Sequence, residues 1–250
     1  MKQFTLLIFT LVSLMSCKQE SKVLNADAII AKAIEHTGGK VIDTSTISFR
    51  FRSKFYRASR NKGSYSLERC TDAACKDTLD QLTNSDFRRF INSEEVDVAD
   101  SLISGLASGV NSVHYFSVLP YGLDSKAVKA KKVGEATVKG KKYYEIEVSF
   151  SKNGGGEDFE DIYMYWIDTT NFNVDYLAYN YHVNEGGTRF REAYNIRNIK
   201  GVRFADYKNY KPSEQFPPLQ SLDSIFEAGK LELVSKIELQ DLEVTPCSSC

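Results

Sequence analysis

The chain has 250 residues, of which 42% are hydrophobic, 26% charged and 12% aromatic, with 15 Gly and 5 Pro. These are the proportions of an ordinary globular protein, which excludes collagen-like, mucin-like and wholly disordered chains. Lys plus Arg (32) nearly balance Asp plus Glu (33), for a formal charge of −1, so the basic excess usual for nucleic-acid binding is missing and nucleic acid is not expected as a partner.

Residues 1–16 read as an export signal. Lys2 gives a positive n-region, and Phe4 to Met15 form a short apolar h-region that includes Leu6, Leu7, Ile8, Phe9, Leu11 and Val12. The run is shorter than the roughly 20 apolar residues needed to cross a bilayer core. Its end, Leu14-Met15-Ser16-Cys17, resembles a bacterial lipobox. That pattern implies thioether lipidation of Cys17, cleavage before it and acylation of the new amino terminus. Several acyl chains on one residue exceed the two-signal requirement for stable anchoring, so the membrane is an expected partner. Residues 17–24 would form a lipidated tether. Lys18 and Glu20 also resemble the surface-export signal of Bacteroidetes lipoproteins. The expected location is the bacterial outer membrane on its periplasmic face, with the cell surface as the alternative.

The other four cysteines form two local pairs, Cys70 with Cys75 and Cys247 with Cys250. An exported protein meets an oxidising compartment, so disulfides within each pair are expected. A four-thiolate zinc site and a redox couple at Cys247-Ser248-Ser249-Cys250 are the alternatives. No metal and no cofactor is expected.

Residues 25–37 place Ile29, Ile30, Ala33 and Ile34 on one helical stripe, with Asn25 or Asp27 as cap and Gly38-Gly39 as the stop. Ile47, Phe49, Phe51 and Phe55 alternate with polar residues, which predicts one half-buried strand. Asn61-Lys62-Gly63 then turns into a strand around Tyr65 and Leu67. Residues 98–117 return to helical spacing despite Gly105 and Gly109, each costing up to about 1 kcal/mol in a helix interior. After Leu119-Pro120-Tyr121-Gly122, strand signals recur near 127–138, 143–150, 162–167, 174–183, 188–197 and 202–210. Gly134-Glu135, Lys139-Gly140, Asp168 to Asn171, Gly186-Gly187 and Lys200-Gly201 are the expected reversals. A Pro-rich loop (211–222), a helix or turn near 221–228 and a strand over 231–244 complete a single unit.

A helix, a strand pair, a second helix and a meander carrying Tyr165-Trp166-Ile167-Asp168-Thr169-Thr170 resemble the LolA/LolB-type lipoprotein-carrier fold. In that fold an incomplete antiparallel barrel is covered by helices and holds acyl chains. The segments Leu119 to Leu123, Asp161 to Trp166 and Gly186 to Arg191 resemble uncharacterised Bacteroidetes outer-membrane lipoproteins. The resemblance implies an α+β domain over 25–245, followed by a Cys-containing tail at 246–250. Its curved antiparallel sheet would be covered on the concave face by the helices near 27–37 and 98–117.

Catalytic signals are missing. His36, His114 and His182 lack a metal-ligand companion at helical or strand spacing, and neither a nucleophile elbow nor a phosphate or dinucleotide loop is present. Ser104 to Gly109 reads as helix packing. Glu157, Asp158, Glu160 and Asp161 read as an acidic turn without EF-hand spacing. Arg189 and Arg191 share one strand face and could grip a carboxylate or phosphate, or pair with that turn. Strand 174–183 is apolar on both faces, as for a layer covered twice. The expected function is non-catalytic binding of an apolar or acylated ligand, lined by Phe49, Phe51, Phe55, Leu102, Leu106, Tyr144, Ile146 and Val148. The alternative is an interaction subunit of an envelope complex, partnered by another envelope protein and built on a dry core. An enzyme of unknown class ranks third.

Overall fold

The structure is a computed structural model and describes residues 24–151, 161–182 and 185–247. The export signal, Cys17 and most of the tether therefore lie outside the described residues. Asn25 adopts an extended backbone, and its side-chain oxygen accepts from the Ala28 amide at 2.9 Å, starting helix α1 (Ala26–Thr37). Ile29, Ile30 and Ala33 are buried on its inward stripe, each isoleucine contributing roughly 1.5–3 kcal/mol. Gly38 closes the helix at a φ of 92°, and a Cβ there would lie 2.1 Å from the Gly201 carbonyl oxygen, so only glycine fits. A further helical turn, α2 (Gly39–Ile42), follows where only a stop was expected.

The stretch predicted as one strand is a hairpin, β1 (Ser45–Phe51) and β2 (Lys54–Asn61), with Arg52 at a φ of 55° in a two-residue loop. The reversal inverts the parity of the second half. Phe49 faces Tyr56, whereas Phe55 pairs with Arg50 and Cys70 and so lies on the opposite face from Phe49. The turn at Lys62 and Gly63, with φ of 47° and 91°, leads as expected into β3 (Ser64–Cys70). Three strands follow that the sequence pattern had not marked: β4 (Thr78–Thr83), β5 (Phe87–Ile91) and β6 (Glu94–Val96). Their inner face carries charge, which hides the alternation. Arg69, Asp80 and Arg89 stand opposite one another across β3, β4 and β5. The buried Asp80 carboxylate accepts from Arg69 at 2.7 Å and from Arg89 at 2.6 Å.

Helix α3 (Asp100–Ser117) lies on this inner face. Val110 packs against Ala58 and Leu67, and the His114 ring meets Phe49 and Tyr56 edge-on. The next turn places Val118 in the core beside Phe49, and Leu119 and Leu123 in the core beneath α1.

The expected meander forms as β7 (Val128–Val138), β8 (Lys141–Phe150), β9 (Tyr163–Asp168), β10 (Val174–Tyr181), β11 (Gly187–Ile199) and β12 (Val202–Lys211). Gly134 is not a reversal. β7 runs through it with a bulge between Lys132 and Gly134, where a Cβ would lie 2.4 Å from Glu145 Oε2. A 3-10 turn (Leu219–Ser221) and helix α4 (Leu222–Glu227) follow. The strand expected over 231–244 divides around the buried Leu239 into β13 (Glu232–Ile237) and β14 (Gln240–Pro246).

That division ties the molecule together, because β13 pairs with β12 and β14 returns to β1. The result is two antiparallel sheets of seven strands each, ordered β14-β1-β2-β3-β4-β5-β6 and β13-β12-β11-β10-β9-β8-β7, not closed into a barrel. α1 covers the inner face of the second sheet through Ile146, Val148, Tyr165, Ile167 and Leu177. Leu219, Leu222 and Phe226 cover its outer face over Trp166, Tyr176, Ala178 and Phe190. Cys70 and Cys75 are joined by a disulfide, which removes two of the four thiolates a zinc site would need. The Cys247–Cys250 pair lies partly outside the described residues.

Burial alone would raise the Asp80 carboxyl, but hydrogen bonds from Arg89 and Arg69 outweigh it and hold the group below its ordinary range. Its contribution is therefore present above the unfolded carboxylate pKa of about 3.9 and lost as pH falls through the lower folded value. Replacement by alanine leaves two largely enclosed guanidinium groups unpaired. Urea denaturation at pH 7 should show Asp80→Ala less stable by about 3 kcal/mol, with the deficit shrinking below pH 4.

Candidate functional site

Between α3 and the inner faces of the two sheets lies a partly enclosed cavity of about 1310 Å³, larger than the roughly 300–1,000 Å³ of most small-molecule sites. Its aromatic wall comes from the second sheet: Phe150 on β8, Tyr163 on β9, Tyr179 and Tyr181 on β10 and Tyr207 on β12. Phe116 of α3 closes onto this wall, 5.6 Å from the Tyr179 ring centroid, and Tyr163 stacks on Tyr179 at 5.5 Å. The first sheet contributes Phe51, Tyr65, Leu67 and Leu82. The helix itself presents small residues here, among them Ser104, Gly105 and Ala107. The hairpin geometry explains the arrangement, since strands have period two and every second residue of each sheet must point inward.

Polar groups interrupt the apolar wall. Arg60, Arg189 and Arg191 line the cavity, as does Asp161. Arg60 and Arg191 are each only 8% exposed. The Arg191 guanidinium lies 4.0 Å from the centroid of Phe116 and donates to the Tyr179 hydroxyl at 2.7 Å. Arg189 sits 4.9 Å from the Tyr181 ring and donates to the Thr188 carbonyl at 2.9 Å. Arg60 stacks over Tyr121, whose hydroxyl donates to Asp43 at 2.9 Å. Burial lowers the Arg60 pKa, while Tyr121 and Asp43 act against it from longer range. Burial and then the Asp43 hydrogen bond push Tyr121 up to about 12. Tyr115 shares a 2.9 Å hydrogen bond with Tyr165, and burial keeps both phenols protonated.

His114 borders the cavity and is fully buried. Its Nε2 lies 2.9 Å from the Glu68 carbonyl oxygen, which assigns the proton to that nitrogen, and Nδ1 has no partner. Burial holds its pKa down to about 3, with a minor opposing effect from the Glu68 bond. No serine or cysteine among the described residues is hydrogen-bonded to this ring. No cluster of three potential metal ligands occurs among the described residues either.

Of the residues expected to line a ligand, Phe51 reaches the cavity. Phe49 is buried in the core under Val118, and Ile146 and Val148 are buried beneath α1 with Tyr144 beside them. Phe55 points to the other face for the parity reason above, Leu102 is 58% exposed, and Leu106 lies outside the cavity wall. Ile146 and Val148 are taken up by α1, which covers that part of the inner face as expected and leaves no cavity over them. Strand β10 is covered twice as expected, by α4 outside and by core and cavity inside. Arg60 was not singled out. It shares the inward parity of Tyr56 and Ala58, a signal that depends on locating the turn at Arg52. Of the acidic turn, Glu157, Asp158 and Glu160 lie outside the described residues, whereas Asp161 is buried on the cavity wall.

Residues 1–239 match the model of a family of unknown function, DUF6503. The chain belongs to that family. No curated protein matches it. Among solved structures, this DUF6503 chain is similar to a LolA superfamily protein from Nitrosomonas europaea, at 12% identity and a TM-score of 0.50 over 88% of this chain and 93% of that one. It is also similar to a DUF1329 family protein from Desulfovibrio piger, at 10% identity and a TM-score of 0.48 over 76% and 88% of the two chains. A third is the domain of an outer membrane lipoprotein-sorting protein from Vibrio parahaemolyticus, at 8% identity and a TM-score of 0.46 over 88% and 92%. The first likeness shows that the fold is LolA-like.

The buried, neutral His114 has a consequence for stability. The unfolded chain takes up a proton near pH 6.5 that the folded chain refuses until about pH 3. Stability is therefore full above pH 6.5 and declines as pH falls, by about 1.4 kcal/mol per pH unit from this group. In NMR titration the His114 ring signals should stay unshifted from pH 8 to pH 5, and His114→Gln should flatten the stability slope between pH 6 and pH 4.

Proposed function

We propose that the protein is a lipid-anchored cell-envelope protein that binds an apolar or acylated ligand, without catalysis, in the cavity between α3 and the two sheets. The observation that carries this reading is the cavity itself. A core designed only to be dry packs to crystal-like density with few voids larger than a water molecule, whereas here about 1310 Å³ remains beside an aromatic wall. Aromatic side chains present large apolar area at low conformational cost and suit the burial of acyl chains. The lipobox ending at Cys17 supports an anchor at the outer membrane, with 1–16 removed, 17–24 as tether and 25–245 as the folded domain. The LolA-like fold supports the binding role, since the carriers that the meander and its Trp166 to Thr170 hairpin resemble hold acyl chains.

Native mass spectrometry with lipid extraction tests this on the full chain carrying Cys17→Ser, purified from its own host. A stoichiometric co-purified lipid or acylated peptide is expected, together with saturable uptake of a fluorescent fatty acid. A clean apo mass with no uptake removes the binding reading in favour of an envelope-complex subunit. Gly105 lines the cavity, and a Cβ there would meet nothing within 4 Å. Gly105→Trp should accordingly lower uptake severalfold while leaving the urea midpoint unchanged or raised, because helix propensity improves by up to about 1 kcal/mol.

A further inference from the structure

Arginines enclosed elsewhere in the molecule are neutralised by carboxylates. Arg69 and Arg89 hold Asp80, Arg197 holds Asp206, and Arg203 holds Asp175. The three arginines on the cavity wall break this pattern. Among the described residues no ion pair joins Arg60, Arg189 or Arg191 to a carboxylate, and Arg189 and Arg191 keep a carbonyl and a phenol as partners. Two atoms of this set, Arg60 Nη1 and Arg191 Nε, are buried with no hydrogen-bond partner at all. Withdrawing a cation from water without a counter-charge costs several kcal/mol, and an anionic group reaching these arginines would offset that cost.

The geometry holds these groups ready. Arg189 and Arg191 stand two residues apart on one face of β11, and rings at 4.9 Å and 4.0 Å fix the two guanidinium planes. Fixed guanidinium planes favour carboxylate and phosphate oxygens over other polar groups. The aromatic wall of Phe150, Tyr163 and Tyr179 continues from them within the same cavity. Resting on the binding role proposed above, we propose that the ligand is an anionic amphiphile, whose carboxylate or phosphate head is held by Arg189 and Arg191 while its acyl chain lies on that wall.

The test uses the full Cys17→Ser chain stripped of lipid and measures displacement of a neutral fluorescent probe by four compounds. These are palmitate, hexadecyl phosphate, hexadecanol and inorganic phosphate. Palmitate and hexadecyl phosphate should bind at least tenfold more tightly than hexadecanol, and inorganic phosphate should not displace the probe at millimolar concentration. In the Arg189→Gln/Arg191→Gln variant the ratio of acid to alcohol affinity should fall from at least ten to about one. Equal binding of acid and alcohol by the unaltered chain overturns the anionic head and leaves the apolar cavity standing. Failure of all three chains to bind overturns the cavity reading itself. Inorganic phosphate binding as tightly as hexadecyl phosphate shows a plain anion site and overturns the amphiphile. The acid-to-alcohol ratio of the unaltered chain decides the matter even where the variant does not fold.

Discussion

Two sheets that stop short of closing into a barrel leave inner faces that their own strands cannot cover, and this constraint governs the rest of the molecule. Two helices share the work unequally. α1 lays Ile29, Ile30 and Ala33 against the second sheet and seals it. α3 leans instead on the first sheet, with Val110 and His114 inserted among Ala58, Leu67, Phe49 and Tyr56. The space left between α3 and the two sheets is the cavity. Its aromatic wall, notably Tyr163, Tyr179 and Tyr207, is met by α3 only through Tyr115 and Phe116 near the end of that helix.

The distribution of charge follows the same partition. On the part of the inner face covered by α3, charge is internally balanced, with Asp80 between Arg69 and Arg89. Packing over this ladder is close enough that a Cβ on Gly109 would lie 2.9 Å from an Arg69 nitrogen, which accounts for one of the two helix glycines. On the cavity wall the arginines lose their carboxylates and keep aromatic faces, hydroxyls and carbonyls. A cation over an aromatic face gains about 0.5–2 kcal/mol, less than removal from water costs it. Stacking therefore orients these arginines without neutralising them.

Much of this was legible in the sequence, for reasons that can be named. The meander from β7 to β12 was readable because its strands are short apolar or alternating runs and its turns carry glycines suited to positive φ, as at Lys139-Gly140 and Lys200-Gly201. Strands β4 to β6 were hidden because their inward positions include Asp80 and Arg89, so hydrophobic alternation does not report them. The β1–β2 turn was hidden because Arg52 supplies a positive φ without being Gly, Asn or Asp. That one omission moved Phe55 to the wrong face and concealed Arg60. The split between β13 and β14 was hidden because it depends on pairing with β1, nearly two hundred residues earlier, which no local pattern can carry.

The unequal attachment of α3 decides where the molecule has room. Its C-terminal half is anchored by Val110, His114 and Ser117, all buried, and by the His114 bond to the Glu68 carbonyl. Its N-terminal half begins at Ala99 without a side-chain cap, exposes Leu102 and carries Gly105 in open space. Few buried apolar contacts and an uncapped start are the marks of a segment whose opening free energy is low. The same residues, Ser104 and Gly105, border the cavity. Larger side chains at these positions would give the helix a better stripe and a firmer seat, but they would take up cavity space. The small residues that weaken the helix are thus the ones that keep the cavity open.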